Sequence, residues 1–227
     1  MRREPYISII IPTINEEKSI VEAISGIKRV VDGIGYEIII VDGGSTDKTV
    51  EYAKRAGATR ILYSDKGKGH ALRKGFEAAE GKIVISIDAD LSHRPEEIKL
   101  IVSSIEIGYD VCMGSRFIIG GGTEDMSLVR KIGNKFFVLM VNLLYKTNYT
   151  DMCYGYRGFR KDVIKRLGLK EDGFGIETEI SIRSKLAGLK IIEVPSFEKV
   201  RGSGESNLKT FRDGYIILRT IISNLFG

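Results

Sequence analysis

Tryptophan and glutamine are missing from this chain of 227 residues, cysteine occurs twice and proline four times. The two thiols, Cys112 and Cys153, have no paired spacing. That excludes a small disulfide-stapled fold and reads as the reduced thiols of a cytosolic protein. No run of about 18 apolar residues occurs, so no segment is expected to span a bilayer. The N-terminal MRREP leads straight into an apolar segment, and no secretory leader is expected. Two nucleotide fingerprints are also missing: no GxGxxG follows the first apolar run, and there is no GxxxxGK[ST]. Charge of either sign is nearly balanced, with a formal net of +5 and a pI of 9.1. This suits phosphates or an anionic membrane face and does not call for nucleic acid. Many Ile, Lys and Glu without Gln is a composition bias of heat-adapted proteins.

What is present is 43% hydrophobic, enough for one α/β domain with an appendage. Short apolar runs at Tyr6–Ile11, Glu37–Val41, Thr59–Tyr63, Ile83–Ile87 and Asp110–Gly114 alternate with helix-period segments. Runs without polar alternation predict strands buried on both faces. The spacing therefore predicts βαβ units in a doubly wound, Rossmann-like, mostly parallel sheet. Thr13 or Asn15 is placed to cap the first helix, and Ser45, Thr46 or Asp47 the second. A helix is expected over Pro95–Ile107 and another over Leu128–Tyr145, whose FFVLMVNLLY stretch is apolar almost all round and must be buried or lie against lipid. Gly155–Arg160, Ile176–Leu186 and Lys190–Val194 complete the domain as strand, helix and strand. Phe211–Phe226 repeats apolar residues at steps of four and three, an amphipathic helix able to dock on the domain or lie in a membrane interface.

The chemistry converges on IVISIDADLSHRP, residues 83–95. A buried strand ends there in Asp88-Ala89-Asp90, at the sheet edge where ligands of open α/β folds bind. Two carboxylates so close repel unless a cation lies between them, and Mg²⁺ or Mn²⁺ fits because it also bridges to phosphates. Asp42 ends another strand before two glycines, where it can hold a base or ribose or simply make a turn. Lys66-Gly67-Lys68-Gly69, before a helix, can approach a diphosphate or be an ordinary basic loop. His70 and His93 have no partners at metal-ligand spacing and read as structural or surface residues. Glu177 and Glu179, two apart on a helix, face different ways, with one expected in solvent. Among Arg116, Arg130, Arg157, Arg160 and Arg201, two or three are expected to meet phosphate oxygens.

PTINEE (12–17), VDGGSTDKT (41–49), KGKG (66–69), DADLSHRPE (88–96), GSRF (114–117), GYRGF (155–159) and RGSGESNL (201–208) stand in this order over nearly the whole chain. Together they resemble family 2 glycosyltransferases of the GT-A fold, and among these the dolichyl- and polyprenyl-phosphate sugar synthases. The resemblance implies a metal-dependent, inverting transfer from a nucleotide-diphosphate sugar to a polyprenyl or dolichyl phosphate, by a peripheral enzyme on the cytoplasmic membrane face. It implies that Pro12, Thr13, Asn15, Glu16 and Asp42 hold the nucleoside with Lys68 nearby. Asp88 and Asp90 would hold the ribose and the metal, and Arg116, Arg130 and Arg201 the acceptor phosphate or donor diphosphate. The implied layout is a catalytic domain over 1–195, with a nucleotide-sugar half (1–115) and an acceptor half (116–195). Residues 196–227 would form a basic loop and membrane-associating tail. A separate membrane-protein partner is compatible with this layout. One departure concerns the metal: relatives carry DxDLQ, whereas Ser92 stands here in place of Gln. A sugar hydroxyl acceptor, as in cell-surface polysaccharide synthesis, is the alternative, and it would need a carboxylate base such as Glu177 or Glu179. A sugar nucleotidyltransferase would need a Gly- and Arg-rich loop where PTINEE stands. A non-catalytic binding module would not need the acid pair and Asp42 together.

Overall fold

The structure, a computed structural model, describes residues 4–202 and 210–225. Most of RGSGESNL, with Lys209 and Phe226, therefore lies outside the described residues. The strands β1 (Ile7–Thr13), β2 (Tyr36–Asp42), β3 (Arg60–Tyr63) and β4 (Ile83–Ser86) are joined by helices α1 (Ile20–Val30), α2 (Thr49–Ala56) and α3 (Lys68–Ala78). A 3₁₀ turn (Pro95–Glu97) and α4 (Ile98–Glu106) lead to β5 (Val111–Ser115). Next come the short β6 (Gly122–Thr123), the long α5 (Leu128–Tyr145), β7 (Arg157–Arg160) and α6 (Lys161–Leu167). The last elements are α7 (Ile176–Leu186), β8 (Ile191–Pro195), β9 (Phe197–Glu198) and α8 (Thr210–Ser223).

Seven strands form one sheet in the order β3-β2-β1-β4-β7-β5-β8, parallel except for β7, which runs antiparallel between β4 and β5. The chain runs outward from β1 to β3 and then returns to β4 on β1's other side. The switch point therefore falls between the carboxyl ends of β1 and β4, where a crevice opens. Alternate strand residues feed two cores. Ile10, Ile39, Val41, Val84 and Phe159 pack on one face with α3, α5, α6, α7 and α8. Ile9, Ile11, Ile38, Ile40 and Ile85 pack on the other with α1 and α4. Both faces being covered is why the strands read as unbroken apolar runs.

Two capping expectations change. Helix α1 begins only at Ile20, and neither Thr13 nor Asn15 caps it. Asn15 instead takes a left-handed backbone, with φ 55°, and its Oδ1 accepts from the Thr46 N–H at 2.8 Å. Asn15 thereby ties the loop after β1 to the loop after β2. Asp47, not an N-cap by position, still accepts from the Thr49 N–H at 2.9 Å and so secures the start of α2. Helix α8 is packed on α5 and α7: Ile217 and Ile221 enter the core, and the Tyr145 hydroxyl donates to the Ile221 carbonyl at 2.5 Å. Thr220 Oγ1 donates to Glu171 Oε1 at 2.8 Å, anchoring the same helix.

Candidate active site

Past β4, the chain is held in register by the Ile87 N–H donating to the Ile10 carbonyl. The Asp88 N–H donates to His93 Nδ1 at 3.1 Å, and the buried His93 ring packs against Tyr154 and Tyr156. His93 is thus scaffolding for the acid pair. Asp90 Oδ1 accepts from the Ser92 N–H (3.0 Å) and Ser92 Oγ (2.6 Å), so the residue in the family's Gln position braces the acid. Between them Leu91 is left-handed, with φ 66°, a strained state for a branched side chain. Two backbone bonds from the segment after β9 hold it there, Lys199 N–H to the Ser92 carbonyl and Gly202 N–H to the Asp90 carbonyl. A Cβ on Gly202 would sit 2.7 Å from Leu91 Cδ1, so a larger residue here would have to displace the Leu91 side chain.

Cations already face both acids. Lys68 Nζ lies 2.9 and 3.0 Å from the two Asp88 oxygens and 3.0 Å from Glu177 Oε1. Burial opposes the ammonium's charge, but Asp88 and Glu177 outweigh it and hold Lys68 above its ordinary range. Burial likewise disfavours the Asp88 carboxylate, and the charges of Lys68 and then His93 pull it below the usual range instead. Arg201 donates to Asp125 Oδ2 at 2.9 and 3.1 Å and faces Asp90 Oδ2 at 3.6 Å, beyond hydrogen-bond reach. Glu16 lies close enough that burial, then the charges of Asp90 and Asp88, raise its pKa against the opposing Ser19 hydrogen bond.

These groups share a cavity of about 770 Å³. Of the residues expected at the site, Pro12, Thr13, Glu16, Lys68, Asp88, Asp90, Arg116, Arg130 and Arg201 line it, and Asn15 and Asp42 do not. Asp42 is 2% exposed; its Oδ2 accepts from the Gly44 and Ser45 N–H groups and its Oδ1 from Ser45 Oγ. Its carboxylate makes the turn. The KGKG glycines serve packing: a Cβ on Gly69 would sit 2.4 Å from the Glu171 carbonyl oxygen, and His70 N–H donates to the Asp172 carbonyl. Arg116 is buried, bidentate to Asp151 (2.7 and 2.9 Å) and bonded to Glu198 (3.0 Å), with its guanidinium over the Tyr154 ring. Arg157 is fully buried and donates to the carbonyls of Met152 and Tyr154 and to Ser181 Oγ, which stiffens the cavity floor from beneath. Arg160 is a surface residue paired with Asp110 and Asp162.

Neither Glu177 nor Glu179 reaches solvent, contrary to the expectation that one would. Helix α7 is buried on every side from Ile176 to Ile182, which is why that stretch lacks an apolar stripe. Glu177 points into the cavity at Lys68, whereas Glu179 accepts from the N–H groups of Lys170 and Glu171. One cavity residue escaped the sequence reading. Asn134, 3% exposed on α5 and one turn beyond Arg130, accepts from the Met152 N–H through Oδ1. That bond fixes the amide orientation, and its buried Nδ2 has no hydrogen-bond partner among the described residues. The signal available was an amide within a largely apolar helix, one of two there with Asn142.

Among the described residues no three His, Cys, Asp or Glu side chains form a metal cage. Asp88 and Asp90 nevertheless fit Mg²⁺ or Mn²⁺, since such ions are held by one or two carboxylates and complete their shell with water and substrate phosphates.

The family model for Glycosyl transferase family 2 matches residues 8–168. The chain is 35% identical over 210 residues to "Dolichol-phosphate mannosyltransferase" of Pyrococcus furiosus, covering 89% of this chain and 59% of that relative's length. It is 31% identical over 216 residues to "Dolichyl-phosphate hexose transferase" of Haloferax volcanii, covering 95% of this chain and 92% of the relative. Glucosyl-3-phosphoglycerate synthase from Mycobacterium tuberculosis, crystallised with Mn²⁺, uridine diphosphate and phosphoglyceric acid, shares the fold with a TM-score of 0.77. That match is at 22% identity and covers 98% of this chain and 79% of the other. The mostly parallel α/β fold is thus GT-A-like, and the chain belongs to glycosyltransferase family 2.

Proposed function

We propose that this chain moves a hexose from a nucleotide-diphosphate sugar to a polyprenyl or dolichyl phosphate, with inversion, on the cytoplasmic face of a membrane. One observation carries the reading. The cavity that holds Asp88 and Asp90 is also lined by apolar residues of α5 (Val129, Phe137) and α8 (Ile217), together with the polar Arg130, Asn134 and Asp213 of the same helices. Its acid pair suits a nucleotide sugar with a cation, and apolar side chains beside an arginine suit a lipid phosphate. The names of the two relatives support that acceptor.

Asp90, with Asp88, would hold the divalent cation, which supplies charge stabilisation for the leaving diphosphate. Crystals of the structural neighbour with Mn²⁺ or with Mg²⁺ support that choice of ion. A phosphate monoester, with a second pKa of about 6, arrives ionised and needs orientation rather than a base. Arg130 and the unpaired Asn134 Nδ2 supply donors for it. Glu177 is bound to Lys68 and Glu179 to backbone N–H groups, so neither is poised to deprotonate a hydroxyl.

A panel of radiolabelled nucleotide sugars offered with polyprenyl phosphate and Mg²⁺ or Mn²⁺ tests the reading directly. Gly133 sharpens it, because a Cβ there meets nothing within 4 Å. A Gly133→Phe variant should fold normally and fill the cavity beside the apolar side chains. Transfer to a long prenyl phosphate should fall by at least about tenfold in kcat/KM, with a short-chain phosphate less affected. Transfer to a free sugar in preference to any prenyl phosphate would establish the hydroxyl-acceptor alternative.

Membrane contact is the second part of the reading. Leu128, Ile132, Phe136, Leu139 and Leu143 recur along one side of α5 and are 53–72% exposed. No described helix is long and apolar enough to cross a bilayer, so the contact would be interfacial. Replacing Phe136 and Leu139 together by aspartate should abolish flotation with anionic liposomes while leaving nucleotide binding intact. Undiminished flotation of that variant would remove α5 from the interface.

A further inference from the structure

The acid pair is not symmetric. Asp88 has both carboxylate oxygens against one ammonium, at 2.9 and 3.0 Å, whereas Asp90 Oδ2 is 3.6 Å from Arg201, whose closer contacts go to Asp125. A free cation arriving at this edge meets one available carboxylate and one already neutralised. A single carboxylate holds a divalent ion weakly without phosphate oxygens to complete the shell.

We propose that Lys68 is the internal counter-ion of Asp88: it withholds that carboxylate from a free divalent cation and yields it when a nucleotide diphosphate arrives, with Glu177 keeping the ammonium at the site. The inference rests on the nucleotide-diphosphate part of the proposed function and on nothing about the acceptor.

Three features make the exchange physical. Lys68 is the first residue of α3, and its flexible four-carbon stem reaches into the cavity from the helix start. Lys68 is shared between two carboxylates, so the trio carries one net negative charge. When the ammonium turns toward a diphosphate, Glu177 Oε1, at 3.0 Å in the donor-free arrangement, still retains it. Third, the trio packs against bare backbone. A Cβ on Gly155 would lie 3.0 Å from Lys68 Nζ, 3.1 Å from Asp88 Oδ2 and 3.5 Å from Glu177 Oε1. Glycine there leaves the ammonium room to sit on Asp88 and room to leave it. The consequence is a coupling: cation and nucleotide each bind better in the presence of the other, beyond their own affinity in solution.

The measurement is Mn²⁺ binding without nucleotide, read from the loss of the free-ion paramagnetic resonance signal, and then repeated with GDP and with UDP. Lys68→Met keeps the stem and removes the charge. It should bind Mn²⁺ alone at least about fivefold more tightly than wild type, with a smaller further gain on adding nucleotide. Lys66→Met removes the same charge two residues away, at an exposed position, and should leave Mn²⁺ affinity within about twofold. Equal tightening in both variants would mean a general field effect and would overturn the counter-ion role, as would no change in Lys68→Met. Should Lys68→Met fail to fold, Lys68→Gln keeps a polar tip without the charge and should also tighten Mn²⁺ alone. A folded Lys68→Gln with wild-type Mn²⁺ affinity overturns the proposal equally. Failure of the functional reading looks different: wild type would then bind neither GDP nor UDP with Mn²⁺, whatever Mn²⁺ does alone.

Discussion

Alanine at position 90 is expected to reduce sugar transfer by about 10³-fold or more, because charge building on the leaving diphosphate loses the cation that would balance it. The fold should survive. Asp90 contributes two bonds to Ser92 and a long contact to Arg201, which keeps its closer partner Asp125. Loss of those two bonds costs roughly 1–3 kcal/mol on ordinary hydrogen-bond values. Removing a negative charge beside Glu16 offsets part of this, since Asp90 raises the Glu16 pKa. The expected result is therefore a folded protein with a modestly lower Tm that no longer responds to Mn²⁺ or Mg²⁺. Wild-type activity in excess chelator, or full activity of Asp90→Ala, would remove the metal from the mechanism.

Which parts of this were legible beforehand follows from how far apart the deciding residues lie. The strand runs, the acid pair at a strand's carboxyl end and the extents of α5 and α7 are local patterns, and the structure has them where the sequence places them. Asp42 and Asn15 are ambiguous for a local reason too: a short acid or amide after a strand serves a turn as readily as a ligand, and here both side chains brace the loops after β1 and β2. What sequence could not show is pairing across long separations. Lys68 meets Asp88 and Glu177 where the start of α3, the end of β4 and α7 converge, and Arg116 meets Asp151 and Glu198 where the end of β5 lies against the segment before β7 and against β9. Helix α8 shows the same limit: its pattern suited docking and lipid equally, and Ile217 and Ile221 are buried against the domain while Tyr215 faces out.

Arg116 is where sequence resemblance and structure lead to different experiments. The resemblance puts it among cations that hold a phosphate, and loss of such a contact would raise KM in a protein of normal stability. The structure gives its guanidinium four carboxylate contacts, two with Asp151 and two with Glu198, with burial opposing the charge and both acids holding its pKa above the ordinary value. Those bonds join three segments: the end of β5, the cavity floor and β9. Removing one partner of a buried pair leaves the others uncompensated and costs roughly 3–5 kcal/mol. For a domain of this size that is a fall in Tm of about 6–20 °C. Arg116→Met should therefore show its defect first in thermal unfolding. Arg116→Lys should rescue little, because one ammonium cannot bridge Asp151 in bidentate fashion and reach Glu198 as well. Adding Asp151→Asn to Arg116→Met should recover part of the lost stability, since it removes the stranded charge; the pair is then coupled in a double-mutant cycle. A variant of Arg116 with wild-type Tm and a raised KM for the lipid phosphate would instead make this arginine a direct acceptor contact.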